Sequence, residues 1–518
     1  MKKVVVLLSL GCLLAALSSC SGSNSTVVFV SPTGATVNAG ATLQFTANVA
    51  VSWMVSGDGS IDAAGFFRAG NAAETVTITA IAKDGSGSSG TATVTVSTTG
   101  TTTSTTTTSS PSGISHRVFV SNKYSGVLNI VDADADLLST HTVIVGGAPT
   151  FMLQTSDLTA EVVYDSTNNL LGFVDNATET VSAKTSPLMT GTIQSAAIIP
   201  GATLVYAAVP TAVPSGSSTA GSVYQMNFSS GVLSVGVPGV RYLSIDHNAV
   251  HMLAFSQSSD TVTLVTSSSG TLTSNTGRLI ATPLPASTSG CSTSFSRPVA
   301  AVFSNDDSTA YVLNSGPING ALAPGQWVSV LDMTQSPPAC QQTISVSGAN
   351  VGLLQGTQLY VAGALASCTT GTAPTCQQQA VLTVINTSTN TAGSPVPFGP
   401  AAPNLVPGVL TFDGTNLWIG STGCQVSAGA PGCLSLYSPA GAQILATNIL
   451  PGVLTDQSDD ITGMVWLQPF NGRNIMYVIE GGALIVYDNF FDNLTQIPGT
   501  QESILFITGQ GVSADAVK

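Results

Sequence analysis

The cysteines are the residues whose type and spacing offer the most chemistry in this sequence. There are eight of them in 518 residues. A thiol can carry a lipid, join a second thiol in a disulfide, or bind zinc as a thiolate, and its surroundings decide which. Two cysteines, Cys12 and Cys20, lie near the N-terminus. The other six are Cys291, Cys340, Cys368, Cys376, Cys424 and Cys433.

The first 19 residues have the order of a secretory signal. Lys2 and Lys3 precede an apolar run over residues 4–17, which is too short to cross a bilayer, since that takes about 20 residues. The run ends in Leu17-Ser18-Ser19-Cys20, which resembles the bacterial lipobox. The resemblance implies that residues 1–19 are removed and that the thiol of Cys20 is diacylated, with residues 20–25 as a polar tether. The alternative is an ordinary signal that is cleaved near a cysteine by chance.

A lipid on Cys20 would make the membrane the first partner of the chain, because two or more acyl chains anchor a protein stably. We therefore expect a lipid-anchored protein of the bacterial cell envelope. The residue after Cys20 is Ser21 and not Asp, which indicates the outer membrane or the cell surface.

Export also determines the expected chemistry of the six later cysteines, because an even number in an exported chain favours disulfides. Cys368 and Cys376 are eight residues apart, and Cys424 and Cys433 are nine apart, each pair across a Gly- and Pro-containing stretch. We predict that both pairs pin loops. Cys291 and Cys340 remain as a third pair by elimination. Zinc is the alternative, but these are not the usual zinc spacings, and we predict no metal site.

Residues that could catalyse a reaction are few and scattered. The four histidines are His116, His141, His247 and His251, and we interpret the last two as flanking a turn. Asp132-x-Asp134-x-Asp136 is half of a calcium loop, but the glycine and the final acidic residue are missing, which favours a solvated turn. Residues 85–90 match G-x-G-x-x-G, yet a strand-like segment follows instead of a helix, so they predict a hairpin turn. We predict no cofactor and identify no catalytic residue.

The composition predicts an all-β protein. Charged residues make up only 7% of the chain, against roughly 25% in ordinary globular proteins, whereas hydrophobic residues make up 43%. Val, Thr, Ser, Gly and Ala dominate, and they suit strands and polar turns. After removal of Lys2 and Lys3, 10 basic residues face 26 acidic ones. Nucleic-acid binders need a basic surface, so we predict no nucleic-acid partner.

Residues 26–97 predict a small domain of short strands separated by turns. The segments Leu43-Gln44-Phe45-Thr46 and Val76-Thr77-Ile78-Thr79 alternate with period two, as half-buried strands do. The order of Gly-x-Thr-x-Gln-Phe-Thr-Ala, Val-x-Trp and a closing Ala-Thr-Val-Thr-Val resembles the bacterial group-2 immunoglobulin-like domain. The resemblance implies a β-sandwich with Trp53 in its core. Residues 98–113, almost all Thr and Ser, then predict an extended linker.

Residues 114–518 contain a two-strand pattern that recurs eight times at intervals of about 43 to 59 residues, the range of β-propeller blades. The first strands of the pairs are residues 118–120, 162–164, 204–206, 252–254, 311–313, 359–361, 417–419 and 476–478. The second strands are residues 128–132, 171–175, 223–227, 262–266, 328–332, 382–386, 434–438 and 484–488. We predict a propeller of seven or eight blades, closed by a strand at residues 502–507 that shares a blade with the first repeat.

The first copy, Val-Phe-Val-Ser-Asn followed by Leu-Asn-Ile-Val-Asp and Val-Gly-Gly-Ala-Pro, resembles the Tyr-Val-Thr-Asn family of propeller repeats. That family is related to the lactonase-like propellers, which carry acidic, Arg and His residues at the channel mouth. The resemblance therefore implies a second possible function, a hydrolase of lactones or sugar esters, although the sequence alone does not map those residues onto positions of this chain.

Long connections predict where a partner would bind. They span residues 210–221, 315–326, 364–379, 421–432 and 267–297, and they would lie on one face of a propeller. Long loops on a rigid scaffold often carry function, although tolerated insertions give the same pattern. The candidate binding residues are Gln326, Trp327, Gln377 and Tyr224. We expect a non-catalytic module for a protein or glycan partner, with a propeller enzyme or a structural component of an envelope or secretion assembly as alternatives.

The lipid prediction can be tested at single-residue resolution. Cys20→Ala removes the only thiol at the expected cleavage site, so the chain should lose labelling by a radioactive or clickable palmitate and should leave the membrane fraction. Cys12→Ala is the matched control, and it should be labelled like the unchanged chain. Equal labelling of the Cys20→Ala chain would refute the lipobox interpretation.

Overall fold

A computed structural model gives the fold of the chain. It describes residues 28–97 and 112–517 except 29, 32–33, 40–41, 48, 63–64, 71, 84–85, 156–158, 186–190, 200–203, 214–218, 228–231, 257–258, 275, 317–325, 369–375, 403, 425–432, 448–459, 471–472, 489–499 and 506–510, and for some strand residues only the backbone. The described part is all-β, as the composition predicts. Within it, no helix has the length and apolar character needed to cross a membrane.

The chain divides into two compact units, Met1–Thr106 and Thr107–Lys518. The described strands of the first unit are β1 Val30–Ser31, β2 Gly34–Asn38, β3 Thr42–Gln44, β4 Thr46–Ala47, β5 Val51–Ser56, β6 Gly59–Ile61, β7 Phe66–Ala69, β8 Glu74–Ala82 and β9 Ser89–Ser97. They form one sheet in the order β2-β9-β8-β5, a second in the order β3-β7-β6, and a β1-β4 pair. β8 and β9 form an antiparallel hairpin, so a strand does follow the G-x-G-x-x-G match at 85–90.

Alternating side chains build the core of the first unit. In β8, Val76 and Ile78 are fully buried and their neighbours are not, which is the period-two pattern of a sheet with one covered face. Phe45 and Phe67, both fully buried, belong to the same core. Trp53 is half-buried and packs against this core, with its ring 6.3 Å from that of Phe45. The predicted core tryptophan therefore lies at the edge of the core.

The second unit consists of eight sheets in its described part. Sheets one to four contain β10 Arg117–Asn122, β11 Val127–Asp132 and β12 Leu137–Ile144; β13 Pro149–Gln154, β14 Ala160–Asp165, β15 Leu170–Asp175 and β16 Thr180–Lys184; β17 Ser195–Ile198, β18 Leu204–Val209, β19 Ser222–Asn227 and β20 Val232–Gly236; and β21 Val240–Ile245, β22 Met252–Ser256, β23 Val262–Ser267 and β24 Leu279–Pro283.

Sheets five to eight contain β25 Pro298–Phe303, β26 Thr309–Asn314, β27 Trp327–Asp332 and β28 Ala339–Ser345; β29 Val351–Gln355, β30 Gln358–Cys368, β31 Cys376–Asn386, β32 Thr391–Ala392 and β33 Val396–Ala402; β34 Val406–Phe412, β35 Leu417–Thr422, β36 Leu434–Ser438 and β37 Gln443–Thr447; and β38 Ile461–Phe470, β39 Arg473–Glu480, β40 Ala483–Asp488 and β41 Thr500–Leu505. The last strand, β42 Gly511–Val517, belongs to the first sheet.

These sheets are the blades of an eight-bladed β-propeller. Each blade is an antiparallel meander, and the inner strands β42, β13, β17, β21, β25, β29, β34 and β38 each pack beside the next, so that they form a ring. The eight predicted strand pairs are confirmed as the second and third strands of the eight blades.

Ring closure is confirmed, but the predicted closing strand is wrong. Residues 500–505 form β41, the outermost strand of the eighth blade, paired with β40. The closing strand is β42, which pairs antiparallel with β10 so that Arg117 faces Val517 and Phe119 faces Asp515. β42 contains an aspartate and few large apolar residues, so its own sequence is a weak strand signal. Its place is set by β10, whose free edge needs a partner.

Apolar faces buried between neighbouring blades form the core of the propeller. β10, β14 and β18 are buried along their whole length, because a neighbouring blade covers each face of the sheet. One such core joins blades four and five through Leu253, Phe255, Val312 and Leu331. Burial on both faces explains why these strands lack the alternation seen in β8.

The segment 267–297 is not the single surface loop that the sequence predicts. It contains β24, and its second part, residues 284–297, packs between blades four and five with Cys291, Ser294 and Phe295 buried. Cys291 forms a disulfide with Cys340 of β28, with the Cα atoms 5.8 Å apart, as predicted by elimination. The segment therefore joins the two blades and is unlike an open loop.

Loss of this disulfide should destabilise the propeller more than loss of the second observed disulfide, Cys424–Cys433. The sequence separations are 49 and 9 residues, and the loop-entropy relation gives about 4 and about 2.5 kcal/mol respectively. Thermal or denaturant unfolding of the Cys291→Ser/Cys340→Ser and Cys424→Ser/Cys433→Ser double variants measures the difference. An equal or reversed order would contradict the inter-blade role of the longer link.

Candidate functional site

One end of the propeller ring, here called the hairpin face, carries the connections that vary most in length. Because the strands of each blade alternate in direction, the turns between second and third strands and the connections to the next blade lie at this same end. The longest turns between second and third strands are 210–221 in blade three, 315–326 in blade five and 423–433 in blade seven. Their tips, residues 214–218, 317–325 and 425–432, lie outside the described residues.

Blade six extends furthest beyond the common strand length. β30 and β31 have eleven residues each and stay in register as far as Cys368 opposite Cys376, so most of the predicted loop 364–379 is strand. β33 adds a further strand along this extension, with Ala380 opposite Phe398. The side chains of Cys368 and Cys376 lie outside the described part, and their disulfide stays a prediction.

Hydrogen bonds hold the base of the blade-six hairpin. Gln326 of the preceding blade donates through Nε2 to the carbonyl oxygen of Ala364 at 3.1 Å, and the backbone N–H of Ala364 donates to Asn350 Oδ1 at 3.2 Å. Gln379 donates to the carbonyl oxygens of Phe398 and Gly399 at 2.8 and 3.1 Å. The extension is therefore joined both to blade five and to β33.

The four predicted binding residues occupy different positions. Gln326 and Trp327 lie where the long turn of blade five meets β27, and both are half-buried. Trp327 donates its indole N–H to Ser329 Oγ at 3.1 Å. Gln377 is exposed on the blade-six extension. Tyr224 lies inside β19 and packs against the core between blades two and three, so it is not a loop residue. The structure thus places three of the four on the hairpin face.

The base of the blade-seven hairpin is closed covalently. Cys424 and Cys433 form the predicted disulfide, with Cα atoms 5.7 Å apart, and both residues are buried. The backbone N–H of Ser421 donates to the carbonyl oxygen of Cys433 at 3.0 Å. Asp460, at the start of blade eight, accepts the N–H of Gly423. This turn is thus restrained at its base whatever its tip contacts.

The channel is lined by strands that carry almost no charge. Within the described bounds of the eight inner strands, the sequence contains two residues that are charged at neutral pH, Arg241 and Asp515. Arg241 lies at the start of β21, at the hairpin-face end of the channel, with its guanidinium 5.6 Å from the centre of the Tyr242 ring. Asp515 hydrogen-bonds the carboxyl group of Glu161 on β14. The described inner strands therefore bring together no set of convergent charged side chains.

His247 and His251 flank a turn, as interpreted from the sequence, and the aspartate run lies in another turn. His251 Nδ1 lies 2.9 Å from Asp246 Oδ2 within the turn between β21 and β22. His247, in the same turn, has its Nδ1 2.6 Å from Oδ1 of Asp307, which lies in the turn between β25 and β26. Asp132 accepts the N–H of the residue two positions later in the turn between β11 and β12. Among the described residues, no group of three or more His, Cys, Asp or Glu side chains is arranged to hold a metal.

A buried ion pair at the junction of blades one and two was not predicted. Glu179 is fully buried and accepts a hydrogen bond from Arg117 Nη1 at 2.5 Å. Ser112, where the chain enters the propeller, donates to the same carboxylate through its backbone N–H and its hydroxyl at 2.5 and 2.6 Å. His141 Nε2 lies 3.5 Å from Glu179 Oε2. Four elements thus meet at one carboxylate.

Burial alone would raise the pKa of Glu179, but hydrogen bonds from Ser112 and Arg117 outweigh it and lower that pKa. Because the folded-state pKa is lowered, the cluster stabilises the fold at neutral pH, and this contribution disappears only as the pH falls through that value. Glu179 occupies a turn position with a φ of 53°, which is uncommon for a residue with a side chain. The sequence gives almost no signal that Glu179 is buried and paired with Arg117, since acidic residues in turns usually face water.

Comparisons with known proteins give a likeness to solved structures at low sequence identity. No protein-family model and no curated protein sequence matches the chain. The solved structure of the dihydro-heme d1 dehydrogenase NirN is similar with a TM-score of 0.52 and 12% identity, covering 77% of this chain and 74% of that chain. The periplasmic gluconolactonase PpgL of Pseudomonas aeruginosa gives 0.43 and 12%, covering 78% and 99%, and the Dos1 propeller gives 0.46 and 9%, covering 70% and 85%. Identities this low concern the fold alone.

Glu179→Gln should destabilise the propeller strongly, because it leaves Arg117 buried beside a neutral amide. Removing one partner of a buried pair costs about 3–5 kcal/mol, whereas an exposed pair contributes about 0–1 kcal/mol. His116 and Asp134 form such an exposed pair close by, so Asp134→Asn is the matched control. Denaturant unfolding of both variants at neutral pH measures the difference, and similar losses in the two would contradict the assigned role.

Proposed function

We propose that this protein is an exported, lipid-anchored protein of the cell envelope whose propeller binds a protein or glycan on its hairpin face without catalysis. The anchor is the lipid on Cys20, and the bacterium holds the chain at the outer membrane or cell surface. The first unit is an immunoglobulin-like sandwich, and the Thr- and Ser-rich segment 98–113 is the linker to the propeller. The boundary between the two compact units, at Thr106 and Thr107, falls within that segment, which supports this division.

The observation that carries the proposal is the contrast between the channel and the hairpin face. The inner strands supply Arg241 and an Asp515 that is already bonded to Glu161, and Glu161 is fully buried. A hydrolase needs an acid, a base or a nucleophile within hydrogen-bond reach of its substrate. The hairpin face, in contrast, carries enlarged turns in four blades, and those of blades six and seven are braced by β33 and by the Cys424–Cys433 disulfide.

Bracing favours binding because a turn that is already ordered loses little conformational entropy when a partner docks. A turn that is merely a tolerated insertion, with no partner to bind, gains nothing evident from the same restraint. Exposed polar groups such as Gln377 lie on the blade-six extension. Amide and hydroxyl groups of this kind can bond a glycan or the backbone of a protein.

The net negative charge of the chain restricts the class of partner further. With 12 basic and 26 acidic residues in the full sequence, the protein repels polyanions at neutral pH. A neutral glycan or a protein surface that is uncharged or basic fits this balance. Nucleic acid does not fit it.

Shortening the blade-six extension tests the proposal. We would remove residues 366–378 in the full chain and join Leu365 to Gln379 through Asn-Gly, a two-residue hairpin turn that preserves the antiparallel register. Envelope extract and a glycan array, probed with both chains, would report the partner. The expected result is at least a tenfold loss of the bound protein or glycan on shortening.

The matched control changes the same blade at the opposite end of the ring. Thr389→Ala lies in the exposed turn between β31 and β32, and it should leave binding unchanged. Equal capture of the protein or glycan by the shortened chain and the control would show that the binding site lies outside the blade-six extension. Turnover of a lactone or sugar ester by the full chain would instead establish the hydrolase alternative.

A further inference from the structure

The closing strand β42 is held in the ring by one edge of backbone hydrogen bonds and by its side chains. It pairs only with β10 in its sheet, and the register shifts between Val120 and Asn122. It follows the seven other inner strands around the channel and lies beside β13 and β38. Because a single strand, β10, pairs with β42 in the described sheet, contacts made by β42 side chains bear directly on whether the ring stays closed.

One of those contacts joins two acidic groups. Asp515 of β42 hydrogen-bonds Glu161 of β14, so the pair connects blade one to blade two. Glu161 is fully buried, and Gln154 Nε2 donates to its Oε1 at 2.9 Å, with Asn176 Nδ2 at 3.5 Å from the same atom. Glu161 Oε2 and Asp515 Oδ2 are shielded from solvent, and with both carboxyl groups ionised neither oxygen has a hydrogen-bond donor among the described residues.

Two carboxylates in contact away from water repel each other, and a hydrogen bond between them requires a proton. A bound cation is the other way to hold two carboxylates together. Gln154 and Asn176 donate to Glu161 Oε1 and favour its ionised form. Glu161 Oε2 and Asp515 Oδ2 are the two shielded oxygens of the pair that lack a donor among the described residues, and a shared proton would supply one.

We propose that the Glu161–Asp515 pair shares a proton across the ring junction and makes propeller closure pH-dependent, with β42 held more firmly in mild acid than in alkali. The device is independent of what the hairpin face binds. It would act where an envelope protein meets changes in external pH.

The pKa shifts of the two carboxyl groups also favour a closure that is firmer in mild acid. Burial raises the pKa of Glu161, and the nearby Asp515 raises it further. Burial also raises the pKa of Asp515, to about 6. Both folded-state pKa values lie above those of unfolded carboxyl groups, so the folded chain binds more protons. Stability from the pair is therefore fully present below about pH 4 and is lost as the pH rises through the folded-state pKa values.

Other charged groups nearby already have partners or lie elsewhere. β13 and β38 carry no ionisable residue, and on β10 the guanidinium of Arg117 is bound to Glu179. β39 contributes Arg473 and, at the hairpin-face end, Glu480, which lies beside Tyr487. On β14, Asp165 caps a turn at the opposite end of the strand from Glu161. Among the described residues, Asp515 is therefore the charged group that acts on Glu161, and it raises the pKa of Glu161.

Hydrogen exchange of the β42 amides in the full chain tests the proposal at about pH 5 and about pH 7.5, after correction for the intrinsic rates. From the shift of Asp515 alone, the opening equilibrium should be about tenfold less favourable at the lower pH. Asp515→Asn and Glu161→Gln should each remove most of this difference, and the second variant decides the matter if the first does not fold. Asp260→Asn, at an exposed turn, changes the net charge equally and should behave like the unchanged chain.

Two results would overturn the proposal. One is equal protection of β42 at the two pH values in the unchanged chain. The other is protection that disappears with EDTA and returns with calcium or magnesium, because it would assign the pair to a cation. Loss of partner binding without any change in β42 exchange would affect the proposed function only.

Discussion

Burial of both faces of each blade is the constraint on which the rest of this structure depends. The second strands of blades one to three are buried from end to end, so each sheet is stable only between two neighbours. An open row of such sheets would expose an apolar face at each end, and the ring removes both faces. The chain closes the ring with its last strand, which makes the pairing of β42 with β10 a condition for the whole core.

The same constraint decides where polar and charged groups can lie. A side chain between blades is removed from water and must find its partner there. Glu179 finds Arg117 and Ser112, and Tyr206 donates to the carbonyl oxygen of Leu272 in the next blade while it accepts from Gln225. These bonds join neighbouring blades at fixed positions, whereas apolar packing alone would allow them to slide. The buried Arg117–Glu179 pair thus fixes the registration between blades one and two.

A closed ring of rigid blades leaves the connections between strands free to vary. On the hairpin face, the turns of blades three, five, six and seven are enlarged. β33 and Gln379 restrain the turn of blade six, and the Cys424–Cys433 disulfide restrains that of blade seven. The contrast between blades of constant strand order and braced, enlarged turns is the observation that supports the proposed binding role.

The sequence by itself determined the all-β class, the eight strand pairs, the turns at Asp132 and at His247 and His251, and the Cys424–Cys433 pair, because each depends on residues close together or on a repeated local pattern. The Cys291–Cys340 pair, 49 residues apart, followed from the sequence only by elimination. Only the tertiary structure decided that residues 511–517 close the ring, that residues 284–297 pack between two blades, that Tyr224 faces a core, and that Glu161 meets Asp515. These features join segments far apart in the chain. Their local sequences are weak strands or ordinary polar turns, and the free edge or uncovered face of a distant blade supplies the energy that places them.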